Sequence, residues 1–251
     1  MIELSHVTKS LRIAWAIGQK DIREYYCRPG SLIFGVLFPF SMFLSFLVGR
    51  NIPVYQAIPI LVAQTLFFSS SSIGPITIPI ERRLRTFDRF LCAPVSLKTI
   101  LFGKTLAGFI YGICISVIPI IVGVLFFQST ITNLLALIVA LCLSAFAFAG
   151  MGLMFASIPS THPGQVMMPM NFVRIPLLFI SGVFIPISDL PVWGQIISVF
   201  SPLTHTIELV KLGLGEEVIF GPIINVPILV IYLFFFLFVG IRFHMMNQKK
   251  E

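Results

Sequence analysis

Between residues 31 and 242 the chain is dominated by long apolar runs with almost no charge inside them. No other feature constrains the fold as tightly. Six runs are read as spans, at roughly 31–49, 57–79, 100–127, 132–157, 169–188 and 223–242. Each approaches or exceeds the length of about 20 residues that crosses a ~30 Å hydrocarbon core. Backbone polar groups in lipid must be satisfied within a helix or by closing a barrel. These runs are continuously apolar instead of alternating, so helices are expected and barrel strands are not. The expected fold is an all-α polytopic membrane protein with six transmembrane helices.

Composition agrees: 57% of the 251 residues are hydrophobic and 11% are charged, against about 25% charged in soluble domains. Disorder would need the opposite balance. The net charge of +7 does not point to nucleic acid, because the basic residues flank the apolar runs and form no basic face of a soluble domain. Lys9, Arg12, Lys20, Arg23 and Arg28 precede the first run, Arg82, Arg83, Arg85, Arg89 and Lys98 follow the second, and Arg242, Lys249 and Lys250 follow the last. Only Arg50 and Lys211 fall on the other side. The positive-inside rule therefore puts both termini and the 81–98 loop in the cytoplasm of a multi-pass plasma-membrane protein.

The N-terminal segment is not read as a signal peptide, since its first apolar run starts only near Ser31 and reaches Arg50 without a small-residue cleavage site. Val7, Leu11, Trp15, Gly18, Ile22 and Tyr25 recur at spacings of three and four. That predicts an amphipathic helix over 7–28 lying on the membrane surface, or a short cytosolic cap. Arg28-Pro29-Gly30 breaks it. Residues 189–222 mix Trp193, Ile196, Ile197 and Phe200 with Pro191 and Pro202. They are too apolar for an ordinary loop and too interrupted for a span, so short re-entrant or interfacial helices are expected outside the membrane's cytoplasmic face.

All ten acidic residues lie outside the predicted spans or at their ends. Ion-coupled carriers and intramembrane hydrolases bury such groups at mid-membrane, and no metalloprotease or serine-hydrolase motif is present. No catalytic, metal or cofactor residues are assigned. Cys27, Cys92, Cys114 and Cys142 fall singly and read as apolar fillers. Gly103-Lys104-Thr105 resembles the end of a phosphate loop, but Lys98 stands where its first glycine is required. Lys104 is read as snorkelling to the surface. Gly108 and Gly112 form a G-x-x-x-G, read as close helix packing or a dimer face. Ser69 to Ser72 are read as packing and backbone hydrogen bonding. Arg174, inside the fifth predicted span, either snorkels or meets an anionic headgroup in a substrate path.

As one helix, residues 81–95 would put Leu84, Phe87 and Leu91 on one stripe and Arg82, Arg85 and Arg89 on another, until Pro94 stops it. Such a helix suits either docking into a partner's groove or lying solvated at the surface.

This loop, with Glu81, Arg82, Thr86, Phe87, Leu91, Pro94, Val95, Ser96, Gly103 and Lys104, resembles the coupling segment of permease subunits in the type-2 family of ABC transporters. Arg85 stands where that pattern often has Gly. A second block carries Ser181, Gly182, Pro186, Leu190, Pro191, Trp193, Pro202, Leu203, Thr204, His205 and Glu208. It is similar to the family's extracytoplasmic signature, leaning to lipo-oligosaccharide and polysaccharide exporters, with multidrug permeases beside them. Lys211 stands where Arg is usual. The resemblance covers 1–251 as a single transmembrane domain. It implies a non-enzymatic exporter subunit for a lipid, glycan or drug-like substrate, paired with a second permease copy, surrounded by membrane lipids and driven by a separate ABC ATPase. That partner would bind ATP and Mg, and the 81–95 coupling helix would seat in it through Glu81, Arg82, Arg85, Phe87, Leu91 and Pro94. The alternative is an ATP-independent carrier or channel.

Overall fold

The computed structural model describes residues 2–26, 37–42, 44 and 54–248. The break at Arg28-Pro29-Gly30 and most of the first predicted span lie outside them; residues 37–42 are helical. Among the described residues there is no strand. Four of the described helices are long and apolar enough to cross a membrane: Ala57–Arg83, Leu97–Phe126, Leu134–Ala156 and Pro222–Asn247.

The chain opens with α1 (Ile2–Asp21), closed by a π turn at Ile22–Tyr26. Among its described side chains Ala14, Ile17, Gly18 and Asp21 are buried, while Leu11 and Trp15 of the predicted stripe are exposed. Helix α2 (Val54–Arg83) holds Pro59, Pro75 and Pro79. It persists because a bundle interior can re-satisfy what proline frees. Ser69 Oγ donates to the Thr65 carbonyl at 2.6 Å and Ser72 Oγ to that of Phe68 at 2.6 Å. Pro75 has no N–H to offer the Ser71 carbonyl, and that carbonyl lies so close to Gly152 that any Cβ there would overlap it.

After α2 a tight turn leads to α3 (Thr86–Cys92), then Ser96 caps α4 (Leu97–Phe126) by accepting the Thr99 N–H at 3.2 Å. Asn133 caps α5 (Leu134–Ala156), its Oδ1 accepting from Ala136 N–H at 3.0 Å. Gly108 and Gly112 of α4 face Ser70 of α2, so the G-x-x-x-G is used within the chain. Gly152 of α5 meets α2 from another side. Small residues let these backbones approach where packing, not solvent exclusion, drives association.

Where the fifth span is predicted, at 169–188, the structure has α6 (Pro163–Ile180), 18 residues long and not one of the four helices above. Pro163 fits the first turn, where no N–H is needed. The helix stops early because Gly182 adopts a left-handed conformation at φ 82°, open to glycine without cost. A 3-10 turn at Ile187–Asp189 leads to α7 (Val192–Val199), α8 (Pro202–Leu214) and α9 (Pro222–Gln248). The predicted 189–222 region is thus two short helices, of which α8 is almost wholly buried. Helix direction alternates through α2, α4, α5, α6 and α9, which gives the bundle an elbow end, near α3, and an opposite end, near α8.

Candidate functional site

At the elbow, residues 81–95 do not form one helix. Glu81 to Arg83 are the last turn of α2. Arg85 then takes the left-handed conformation at φ 56°, which costs a side-chain-bearing residue about 1–2 kcal/mol. This is the physical reason for glycine in the resembled pattern. Thr86 Oγ1 donates back to the Glu81 carbonyl at 3.3 Å, and α3 runs off at a new angle. The break re-sorts the predicted stripes. Phe87 turns inward, packing with Ile17, Ile78, Ile100, Leu101, Leu153 and Ala156, under the Arg82 guanidinium at 5.6 Å. Phe87 is therefore core, not a free docking knob. Leu84, Arg83, Arg85, Asp88, Arg89 and Pro94 are exposed. The side chain of Leu91 lies outside the described residues.

Beneath the elbow sits a joint of four ionised groups from three helices. Lys104 Nζ, on α4, is 2.6 Å from Glu81 Oε2 and 3.1 Å from Asp21 Oδ2. Lys20 Nζ is 3.1 Å from Asp21 Oδ1 and also pairs with Glu81, with Glu24 at 3.8 Å. Asp21, Glu81 and Lys104 are fully buried. Snorkelling of Lys104 is corrected: its ammonium is held inside because two carboxylates meet it there. Two cations and two carboxylates balance, which is the condition for tolerating buried charge. Burial alone would lower the Lys20 pKa, but Asp21 and Glu81 outweigh it and hold Lys20 above the ordinary lysine value. Lys20 also lies 4.9 Å from the Phe90 ring centre, so the joint reaches α3. Gly103 makes the close approach of α1 and α4 possible, since a Cβ there would overlap the Ala14 carbonyl.

The carbonyl end of α5 is gripped beside the joint. Arg82 Nη1 donates to the Ile158 carbonyl at 2.6 Å and Asn247 Nδ2 to that of Ser157 at 2.7 Å, while His244 Nε2 lies 3.2 Å from the Leu153 carbonyl. The Arg82 cation also suits the negative end of that helix.

Arg174 does not reach a surface. It is 1% exposed and sits eleven residues into α6, about 16 Å along the axis at 1.5 Å per residue. Its Nη2 donates to Ser71 and, at 3.1 Å, to Ser72, and Nη1 lies 3.5 Å from Asn171 Oδ1. Phe67 and Phe68 rings lie 5.9 and 5.3 Å from the guanidinium. The serines of α2 therefore serve this arginine as well as their own backbone.

The second block gathers at the opposite end. Ser181 Oγ donates to the Leu178 carbonyl at 3.1 Å; Gly182 makes the turn; Pro186, Pro191 and Pro202 sit where the 3-10 turn, α7 and α8 begin. Trp193 is 65% exposed. His205 is buried, Nδ1 2.7 Å from Asn225 Oδ1 and Nε2 2.7 Å from the Val199 carbonyl. Glu208 Oε2 accepts the N–H groups of Ile219 and Phe220 at 2.5 and 3.1 Å, with Lys211 at 3.6 Å from its Oε1. His205 and Glu208 thus lock α8 to the entry of α9.

Sequence reasoning missed Lys20, Asp21 and Lys104 as a site, as well as Asn225. The available signal was shared depth: Asp21 and Glu81 stand at the ends of α1 and α2 and Lys104 about two turns into α4, all on the basic side of the chain. Among the described residues no group of His, Cys, Asp and Glu is disposed to hold a metal.

A bundle of long, charge-poor helices defines a multi-pass membrane protein. The sequence profile described as ABC-2 type transporter matches residues 13–215, and the chain belongs to that family. Among similar proteins, a multidrug ABC transporter permease, YbhR, of Escherichia coli K12 is 24% identical over 155 residues, covering 61% of this chain and 42% of that protein. Nodulation protein J of Rhizobium leguminosarum bv. viciae is 30% identical over 105 residues, 41% of this chain and 40% of its own. Nodulation protein J of Sinorhizobium fredii NGR234 is 28% identical over 163 residues, 62% of this chain and 60% of its own. The chain thus spans about two fifths to three fifths of these relatives.

Proposed function

We propose that the chain is the membrane-spanning permease subunit of an ATP-driven exporter of a lipid, glycan or drug-like substrate. Six helices cross the plasma membrane, with both termini cytoplasmic and 189–222 re-entrant from the far side. A second permease copy completes the translocation path, and a separate ABC ATPase binds ATP and Mg. The chain itself carries out no chemistry.

The observation that carries this reading is the elbow. Its outer face is charged and exposed, at Arg83, Arg85, Asp88 and Arg89, while its inner face is rooted through Phe87 in the core shared by α1, α4 and α5. A short helix built this way can be gripped from outside and can pass displacement inward. The joint of Lys20, Asp21, Glu81 and Lys104 lies directly on that route. An ion-gradient carrier would instead place exchangeable carboxylates at mid-depth, and Asp21 and Glu81 stand at helix ends.

Reversing the charge at Asp88 and Arg89 together (Asp88→Arg with Arg89→Glu) leaves every buried contact in place. Co-purification with the co-expressed ATPase is expected to fall at least about tenfold, the equivalent of ~1.4 kcal/mol, with membrane insertion unchanged. Full retention of the ATPase and of ATP-dependent export would overturn the docking role.

A further inference from the structure

Helix α1 divides its surface three ways. Ala14, Ile17, Gly18 and Asp21 are buried, and Ile22 beyond them packs against Ile73, Ala107, Tyr111 and Ile115. Ile13 and Ile17 join the elbow core with Phe90 and Val95. Leu11 and Trp15 are left over, 53% and 54% exposed. Four residues apart, they lie one above the other on the helix. Ile13 is two residues from each and therefore points to almost the opposite side, so the elbow does not cover them.

Beside this apolar flank, Lys9, Arg12, Gln19 and Arg23 are also exposed. Spacings of three, seven and four put them on one continuous face. Among the described residues, Lys9, Arg12 and Arg23 enter no ion pair. Glu24, an exposed carboxylate of the same stretch, is taken by Lys20 at 3.8 Å. The face is therefore three cations in surplus.

Depth decides what meets it. Ala14 abuts Gly103, which lies about 9 Å inside α4, at 1.5 Å per residue from Leu97. Trp15 thus stands between the apolar spans and the charged elbow, at the boundary that tryptophan favours. Open water would leave Leu11 and Trp15 without apolar cover, and hydrocarbon would strand the three cations. A headgroup layer over acyl chains suits both sets. A zwitterionic headgroup brings its own cation, whereas an anionic one answers the surplus charge.

We infer that the outer face of α1 docks on anionic phospholipid of the surrounding bilayer at the elbow end. Leu11 and Trp15 enter the acyl boundary, and Lys9, Arg12 and Arg23 sit on the headgroup phosphates. This lipid is a fixed neighbour of the helix and not cargo. The inference needs only a multi-pass membrane protein, so its test uses no ATPase.

The chain has two tryptophans, and Trp193→Phe leaves Trp15 as the sole indole. Full-length protein with this change would be placed in nanodiscs of phosphatidylcholine doped with acyl-brominated phosphatidylglycerol or acyl-brominated phosphatidylcholine. Trp15 fluorescence should be quenched by both. Half-quenching is expected at an at least about fivefold lower mole fraction of the anionic lipid, the yield of a single cation at a charged surface. Arg12→Gln with Arg23→Gln should erase that preference while leaving quenching by brominated phosphatidylcholine and the unfolding temperature unchanged, since neither arginine has an ion pair to lose. Salt at 1 M should erase it too. Equal quenching by the two lipids, or a preference that survives the double substitution or the salt, would overturn the inference. So would Trp15 that no brominated lipid quenches but aqueous iodide does, the result expected if this face met water or a soluble protein.

Discussion

The two ends of the bundle bury polar groups by opposite means. At the elbow, the paired groups are full charges contributed by chain segments 61 and 83 residues apart. At the far end, His205 and Glu208 are met by Val199, Asn225, Ile219 and Phe220, 6 to 20 residues away. The far end is therefore a local lock, tying one stretch of chain to itself. The elbow is a long-range joint among α1, α2 and α4, whose cohesion depends on charge balance. Buried charge balance is lost as a whole when one member goes, whereas local hydrogen bonds are lost singly.

This contrast is broken most forcefully at Lys104. Lys104→Met leaves Asp21 and Glu81 buried with only Lys20 between them, and is expected to cost about 3–5 kcal/mol. It should appear as a large drop in unfolding temperature in detergent and as protease access to α1. Adding Asp21→Asn should recover part of the loss, and no recovery would mean that charge balance is not what holds the joint. His205→Ala leaves the Val199 carbonyl and Asn225 Oδ1 without this partner, for an expected loss of about 2 kcal/mol. Its effect should add to that of Lys104→Met, since the two sites share no partner; strong non-additivity would show that the ends are coupled. The smallest effect has the opposite sign. Arg85→Gly relieves the left-handed turn and should stabilise by about 1 kcal/mol, read as a small rise in unfolding temperature.

Much of the fold can be read in the sequence because lipid makes apolar length decisive. Four of the predicted spans coincide with long apolar helices, and Gly108 and Gly112 mark a real close approach. The candidate site was less legible. Periodicity on a single 81–95 helix put Phe87 outside, because a left-handed Arg85 cannot be seen in a hydrophobic pattern. Lys104 and Arg174 were read one helix at a time, so Lys104 was taken to reach for water and Arg174 either to do the same or to meet an anionic headgroup. What holds each inside is a partner on another helix, and that pairing is set by tertiary packing. Pro191 and Pro202 were legible as interruptions of the 189–222 stretch, since the backbone geometry proline imposes is local.

The meeting of the Ser71 carbonyl with Gly152 has a mechanical consequence. Helix α2 is pinched near its midpoint, with Gly152 on one side and Gly108 and Gly112 on another, where neighbouring turns carry Phe67 and Ile73. Sliding α2 lengthwise would push a bulky side chain into a slot cut for bare backbone. Tilting it leaves the slot filled. A shove on one tip of this rod is thus turned into a swing of the other tip in the reverse sense, as with a seesaw on its pivot.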